Sequence, residues 1–138
     1  MAANTSPIFS KVGATSWVVG VTTANTTTDL TAGTIYLVFT ADATNGGYVD
    51  QIIFQPLGTN VDTVGRVWFN TGATTGVAAN NTQFIDVSLA ATTLSQTTGV
   101  GQTRVNIRTA LPAGYRIYVT LGTTVATGFA VTATAGTY

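Results

Sequence analysis

A chain of 138 residues with zero formal net charge, no His, no Cys and no Glu carries only 7% charged side chains, far below the about 25% of an average soluble domain. The missing residue types exclude a Ser-His-Asp or Cys-His nucleophilic centre and the usual zinc sites, and without a basic run the electrostatic footprint of direct nucleic-acid binding is absent. No apolar run approaches the roughly 20 residues of a membrane-spanning helix, and 45% hydrophobic content with regular patterning argues against disorder. The charge deficit therefore points to surface covered by other protein chains.

The length suits one domain. Residues 1–16 fit no strand pattern and are read as an N-terminal arm, with a short extended piece around Ile8 and Phe9, ahead of a domain over residues 17–138. The start MAANTSPIFSKVG has no basic stretch followed by an apolar one, so no secretory signal is expected and synthesis in a cytoplasm is. The first strand is expected over Trp17 to Thr23 and the second over Thr34 to Thr40, whose near-continuous apolar content predicts cover on both faces. Asn45-Gly46 supplies the positive φ of a tight hairpin turn within Asp42 to Gly47. A third strand, Tyr48 to Gln55, stops at Pro56, which lacks a ladder donor.

In the fourth strand, Val64 to Asn70, alternation sends Val67 and Phe69 to one face and Arg66 and Trp68 to the other. After a polar loop comes Gln83 to Leu89, with Ile85, Val87 and Leu89 on one face. A second loop, rich in Thr and Gly, leads to Thr103 to Thr109, where Val105 and Ile107 alternate with Arg104, Asn106 and Arg108 as in a half-buried strand. Tyr115 to Leu121, introduced by the turn Leu111 to Gly114, and Gly128 to Thr134 are expected as antiparallel neighbours. No segment shows helical periodicity, and Thr with β-branched and aromatic residues dominates. The expected fold is all-β, an antiparallel jelly-roll-like β-sandwich of about eight strands.

The residues that remain for chemistry are few, and an enzyme is not expected. Asp42, Asp50, Asp62 and Asp86 would have to converge for paired-carboxylate catalysis, yet Asp42 and Asp62 sit in turns where Asp bonds its own backbone. Asp42, Asn45 and Asp50 offer oxygen ligands for Ca²⁺ but not at EF-hand spacing, so no cofactor or metal is expected. The sequons at Asn4, Asn25 and Asn80 fit a chain full of Asn and Thr. Arg66, Arg104, Arg108 and Arg116 fall within strands, where their stems either cover the sheet or reach a subunit contact. Trp17, Trp68, Tyr48, Tyr115 and Tyr118 serve as core or interface anchors or, in a different class of function, as a stacking platform for a glycan. Uncharged Thr-rich strands also leave edges open to pairing, which a closed oligomer would cover.

MAANTSPIF, GGYVDQIIFQPLGTN (Gly46 to Asn60) with VWFN (Val67 to Asn70), AANNTQF (Ala78 to Phe84) and ALPAGYRIYVTLGTTVATGFAVTATAG (Ala110 to Gly136) touch most of the chain. In these segments it resembles the small tailed-phage virion proteins that decorate or cement capsids as jelly-roll sandwiches, often trimeric. LPAGYRIYVT is also similar to the penultimate strand of trimeric jelly rolls of the tumour-necrosis-factor type. The resemblance implies a homotrimer on the virion's capsid surface, bound to the major capsid protein across capsomer junctions, with no direct contact to nucleic acid or membrane. Candidate interface residues are Ile8, Phe9, Trp68, Arg66, Arg104, Arg108, Arg116 and Tyr118. A carbohydrate-binding or host-recognition module of a virion is the alternative.

Overall fold

A computed structural model describes residues 12–138. Its strands are β1 (Val12–Gly13), β2 (Ser16–Val21), β3 (Tyr36–Thr40), β4 (Gly47–Pro56), β5 (Thr63–Asn70), β6 (Asn81–Leu89), β7 (Thr103–Leu111), β8 (Arg116–Leu121) and β9 (Phe129–Thr137), with one 3₁₀ turn at Ala78–Asn80. No helix among the described residues is long and apolar enough to cross a membrane. β1 and β2 both pair with β9 and act as one interrupted strand, so the sheets read β1/β2–β9–β4–β7 and β3–β8–β5–β6.

The pairing is nested: β2 with β9, β3 with β8, β4 with β7 and β5 with β6, all antiparallel. Such nesting is a long hairpin rolled up on itself, the winding of a jelly roll, and the expected sandwich is present. It also corrects the expectation for the last two strands. Tyr115 to Leu121 and Gly128 to Thr134 are consecutive but lie in opposite sheets, because rolling pairs each strand with its counterpart from the other half of the chain. The turn at residues 42–46 likewise joins strands of different sheets; it closes on itself through Gly46 N–H donating to the Asp42 carbonyl at 3.1 Å, with Gly46 at φ +76°.

The core fills the space between the sheets with Val21, Val49, Ile52, Phe54, Val67, Val105, Ile117, Val119, Phe129 and Val131. Phe54 and Phe129 meet edge to face with ring centroids 6.3 Å apart. On β3 the apolar run has a different cause from the one expected. A register shift between Leu37 and Phe39 turns the consecutive Val38 and Phe39 both inward, while Leu37 stays 44% exposed. The run is a bulge on an edge strand, not burial on two faces.

The described end of the expected arm belongs to the sheet. Val12 and Gly13 pair with Thr137 and Gly136, and Ala14 N–H donates to the Ala135 carbonyl at 2.9 Å. At the opposite end of the sandwich the loops are tied by Asn60, a 3% exposed residue that no strand pattern marks. Its amide donates to the Gly128 carbonyl at 3.0 Å, its carbonyl oxygen accepts from the backbone N–H groups of Thr127 and Gly128, and its backbone pairs with Thr92. Three loops share that one side chain and its backbone.

Candidate functional site

The two outward faces of the sandwich are built from the same alternation but end differently. On the β3–β8–β5–β6 sheet, β5 turns Arg66 and Trp68 outward as expected, and β8 turns out Tyr118 and Thr120. The chain between β2 and β3 then crosses this face. Asn25 N–H donates to the Leu121 carbonyl at 2.7 Å, and the Asp29 carbonyl accepts from the Asn81 amide at 2.9 Å. Just after these ties Leu30 and Ile35 pack on Trp68 and Tyr118. Leu30 adopts φ +64°, a left-handed conformation costing of order 1–3 kcal/mol in a non-glycine residue, and burial of its side chain offsets that cost. The Trp68 indole N–H donates to the Thr120 hydroxyl at 3.0 Å, so its polar edge is satisfied inside the protein.

Among the described residues, nothing covers the outer face of the β1/β2–β9–β4–β7 sheet in this way. Register places Trp17, Thr132, Ile53 and Arg104 in one cross-strand row. Trp17 is 65% exposed, and Val19, two residues on, is also exposed. A second row holds Gln51 and Asn106, whose side chains bond each other at 3.1 Å, while Arg104 donates to the Gln51 carbonyl oxygen at 3.3 Å.

Across β9–β4–β7 the ladder is broken at one place. Between Val49 and Gln51, Asp50 is an extra residue relative to β9, and on β7 the two residues Ile107 and Arg108 stand opposite it. Arg108 takes φ +47° to do so. The break brings Asp50 and Gln51 both outward, and the Arg108 guanidinium lies 3.9 Å from the Asp50 carboxylate with both side chains more than half exposed. Beside them a shallow cleft of about 320 Å³ is lined by Thr15, Tyr48, Asp50, Thr134, Ala135 and Gly136.

The candidate interface residues therefore separate. Trp68 and Tyr118 are buried under the chain's own loop, which corrects the expectation that they meet a partner. Arg66 is occupied within the molecule, 3.4 Å from Asp86 and 3.3 Å from the Asn25 carbonyl. Arg116 lies 3.5 Å from the Tyr118 hydroxyl on that same covered side. Arg104 and Arg108 are on the open face. Ile8 and Phe9 lie outside the described residues.

The carboxylates do not converge. Asp42 accepts from the Asn45 and Thr44 N–H groups, which hold its carboxyl below the ordinary value. Asp62 accepts from the Ala91 N–H, Asp86 faces Arg66, and Asp50 stands at the bulge. Asp42 is thus committed to its turn, and the described residues contain no group of three His, Cys, Asp or Glu able to hold a metal. The Asn25 sequon is closed in the folded chain, because both ends of its amide are bonded in the loop.

Among the described residues, large apolar side chains are exposed in several separate places. Val12, Trp17 and Val19 lie on β1 and β2, Leu37 on the edge strand β3, Phe84 and Ile85 on the edge strand β6 with Val77 in the loop before it, and Leu57, Val61 and Leu94 on the loops tied by Asn60 and Thr59. Phe84 stacks on the half-buried Phe69 with centroids 4.8 Å apart, so this edge of the core reaches the surface.

Fold and surfaces together define an antiparallel jelly-roll β-sandwich with one sheet face covered by the chain itself and one left open among the described residues. No family model matches the chain, and neither the curated proteins nor the solved structures contain a match.

Proposed function

We propose that this chain is a structural protein of a tailed-phage virion, one that decorates the capsid by binding the major capsid protein across capsomer junctions as a homotrimer. The observation that carries this reading is the division of exposed apolar side chains among several surfaces of a nearly uncharged chain. A subunit that touches copies of itself and a shell needs several such contacts, whereas a single-ligand module needs one. Attachment of this kind requires only an interface of about 1,600 Å² in total, and symmetric copies add avidity. Its output is binding energy that holds the head together, with no catalytic step.

The test adds purified protein to undecorated heads. Saturable binding that raises the temperature of head disruption supports the reading, together with a trimer by light scattering. A monomer that saturates no site on such heads ends it. A second reading, recognition of a host glycan, is favoured by one specific observation: Trp17 stands open on a flat sheet face beside polar side chains.

A further inference from the structure

We infer that the break in the ladder at Asp50 and Arg108 builds a binding site for a neutral saccharide, with Trp17 as its stacking platform and the cleft of Thr15, Tyr48, Asp50 and Thr134 as its polar half. The inference rests on the glycan reading and names its site. It is independent of head attachment.

Three observations converge. The first is strain. Arg108 is one of two non-glycine residues at positive φ among those described. The other, Leu30, is explained by the buried side chain it delivers. The Arg108 side chain itself enters no core; its conformation accommodates the register break beside the buried Ile107 and sets two exposed charged groups side by side at the cleft. Strained backbone held at an exposed break in a ladder is a marker of function.

The second is chemistry. Thr15, Tyr48, Asp50 and Thr134 line one cleft, so hydroxyl-bearing side chains and a carboxylate border it, with the Thr134 hydroxyl donating to the Gln51 backbone carbonyl at 3.4 Å and left as an acceptor. Thr15 lies two residues from Trp17 on the interrupted β1/β2 strand, about 7 Å along it. A pyranose matches this combination, with hydroxyls for the polar groups and an apolar C–H face for the indole.

The third is what the site refuses. The cleft lies over β9 and β4, both paired on both sides, so an extended peptide finds ladder partners only along the edge strands β1/β2 and β7 and none in the cleft itself. At the cleft Asp50 opposes a phosphate or carboxylate ligand and Arg108 beside it balances its charge, while the Arg104 cation in the Trp17 row is engaged by the Gln51 side-chain oxygen. An uncharged, polyhydroxylated ring remains.

The test is a titration of the ¹⁵N-labelled full chain with neutral glucose-, galactose-, mannose- and N-acetylglucosamine-based oligosaccharides, followed by NMR. The two tryptophans make the experiment self-controlled: the Trp17 indole signal shifts, while that of the buried Trp68 does not. Trp17→Ala removes binding, and Asp50→Asn weakens it about tenfold, the scale of a lost hydrogen bond to a charged group. Both variants keep the Trp68 signal in place, because both residues are exposed. Saccharide binding that survives both substitutions overturns this site and leaves the glycan reading standing. No shift with any of the probes overturns both. A Trp17 signal that moves with protein concentration alone makes the face a contact between copies, and overturns the inference in favour of assembly.

Discussion

Trp68 and Trp17 both point away from the core of one sandwich, each on an outer sheet face, yet one is 1% exposed and the other 65%. The difference is the chain between β2 and β3. Residues 22–35 cross the β3–β8–β5–β6 face and seal Trp68 beneath Leu30 and Ile35, while the other face stays open around Trp17. An aromatic residue on the outward side of a strand is therefore neither surface nor core by pattern alone. A connection elsewhere in the sequence decides it, and here it buries one tryptophan and leaves the other at the surface.

Substitutions that sharpen this contrast fall in a clear order. Trp68→Ala removes the largest fully buried side chain and leaves the Thr120 hydroxyl without its donor. Denaturant unfolding is expected to show a loss of about 3–5 kcal/mol. Leu30→Ala uncovers the same indole and keeps the left-handed backbone, for a loss of about 2–4 kcal/mol; Leu30→Gly costs less than its missing side chain predicts, because glycine relieves φ +64°. Arg66→Ala loosens the tie between β5 and the covering loop, and about 1 kcal/mol is expected for a partly exposed pair. Trp17→Ala changes stability by less than about 0.5 kcal/mol, as at other open surface positions. A large loss at Trp17 would break the contrast between the faces.

Acid separates the faces as well. Asp29, in the covering loop, has its carboxyl lowered from 3.8 by the Thr31 hydroxyl and, next, by the Thr31 N–H. A folded value below the unfolded one means that the stabilisation is fully present above the unfolded pKa and is lost as pH falls through the folded value. The loop is thus expected to loosen below about pH 4, the unfolded range of an aspartate. In an NMR acid titration the Trp68 indole signal should respond in that range, and Asp29→Asn should remove this part of the response.

Much of the fold was legible. Alternation located the strands and put Val67 and Phe69 on one face and Arg66 and Trp68 on the other, and the structure makes the first the inner face. One signal went unread: in Val49-Asp50-Gln51-Ile52 the apolar Val49 and Ile52 fall three apart, the spacing of a bulge. What misled were features whose cause lies elsewhere in the chain. The apolar run at β3 looked like two-sided cover because a bulge places neighbours on one face. The loop over Trp68 carried no strand pattern; its only sign was Leu30 and Ile35 among polar residues.

Local patterning by itself determined that this chain is all-β, where its strands run and which side chains share a face, because a period of two and turn chemistry act between near neighbours. Only the tertiary structure decided that β8 and β9 part company, that Asn60 ties three loops, that Trp68 is core, and that Asp50 and Arg108 meet at an open cleft. Those outcomes depend on how a rolled hairpin brings distant segments together, and contacts between residues tens of positions apart leave no periodic trace in the sequence.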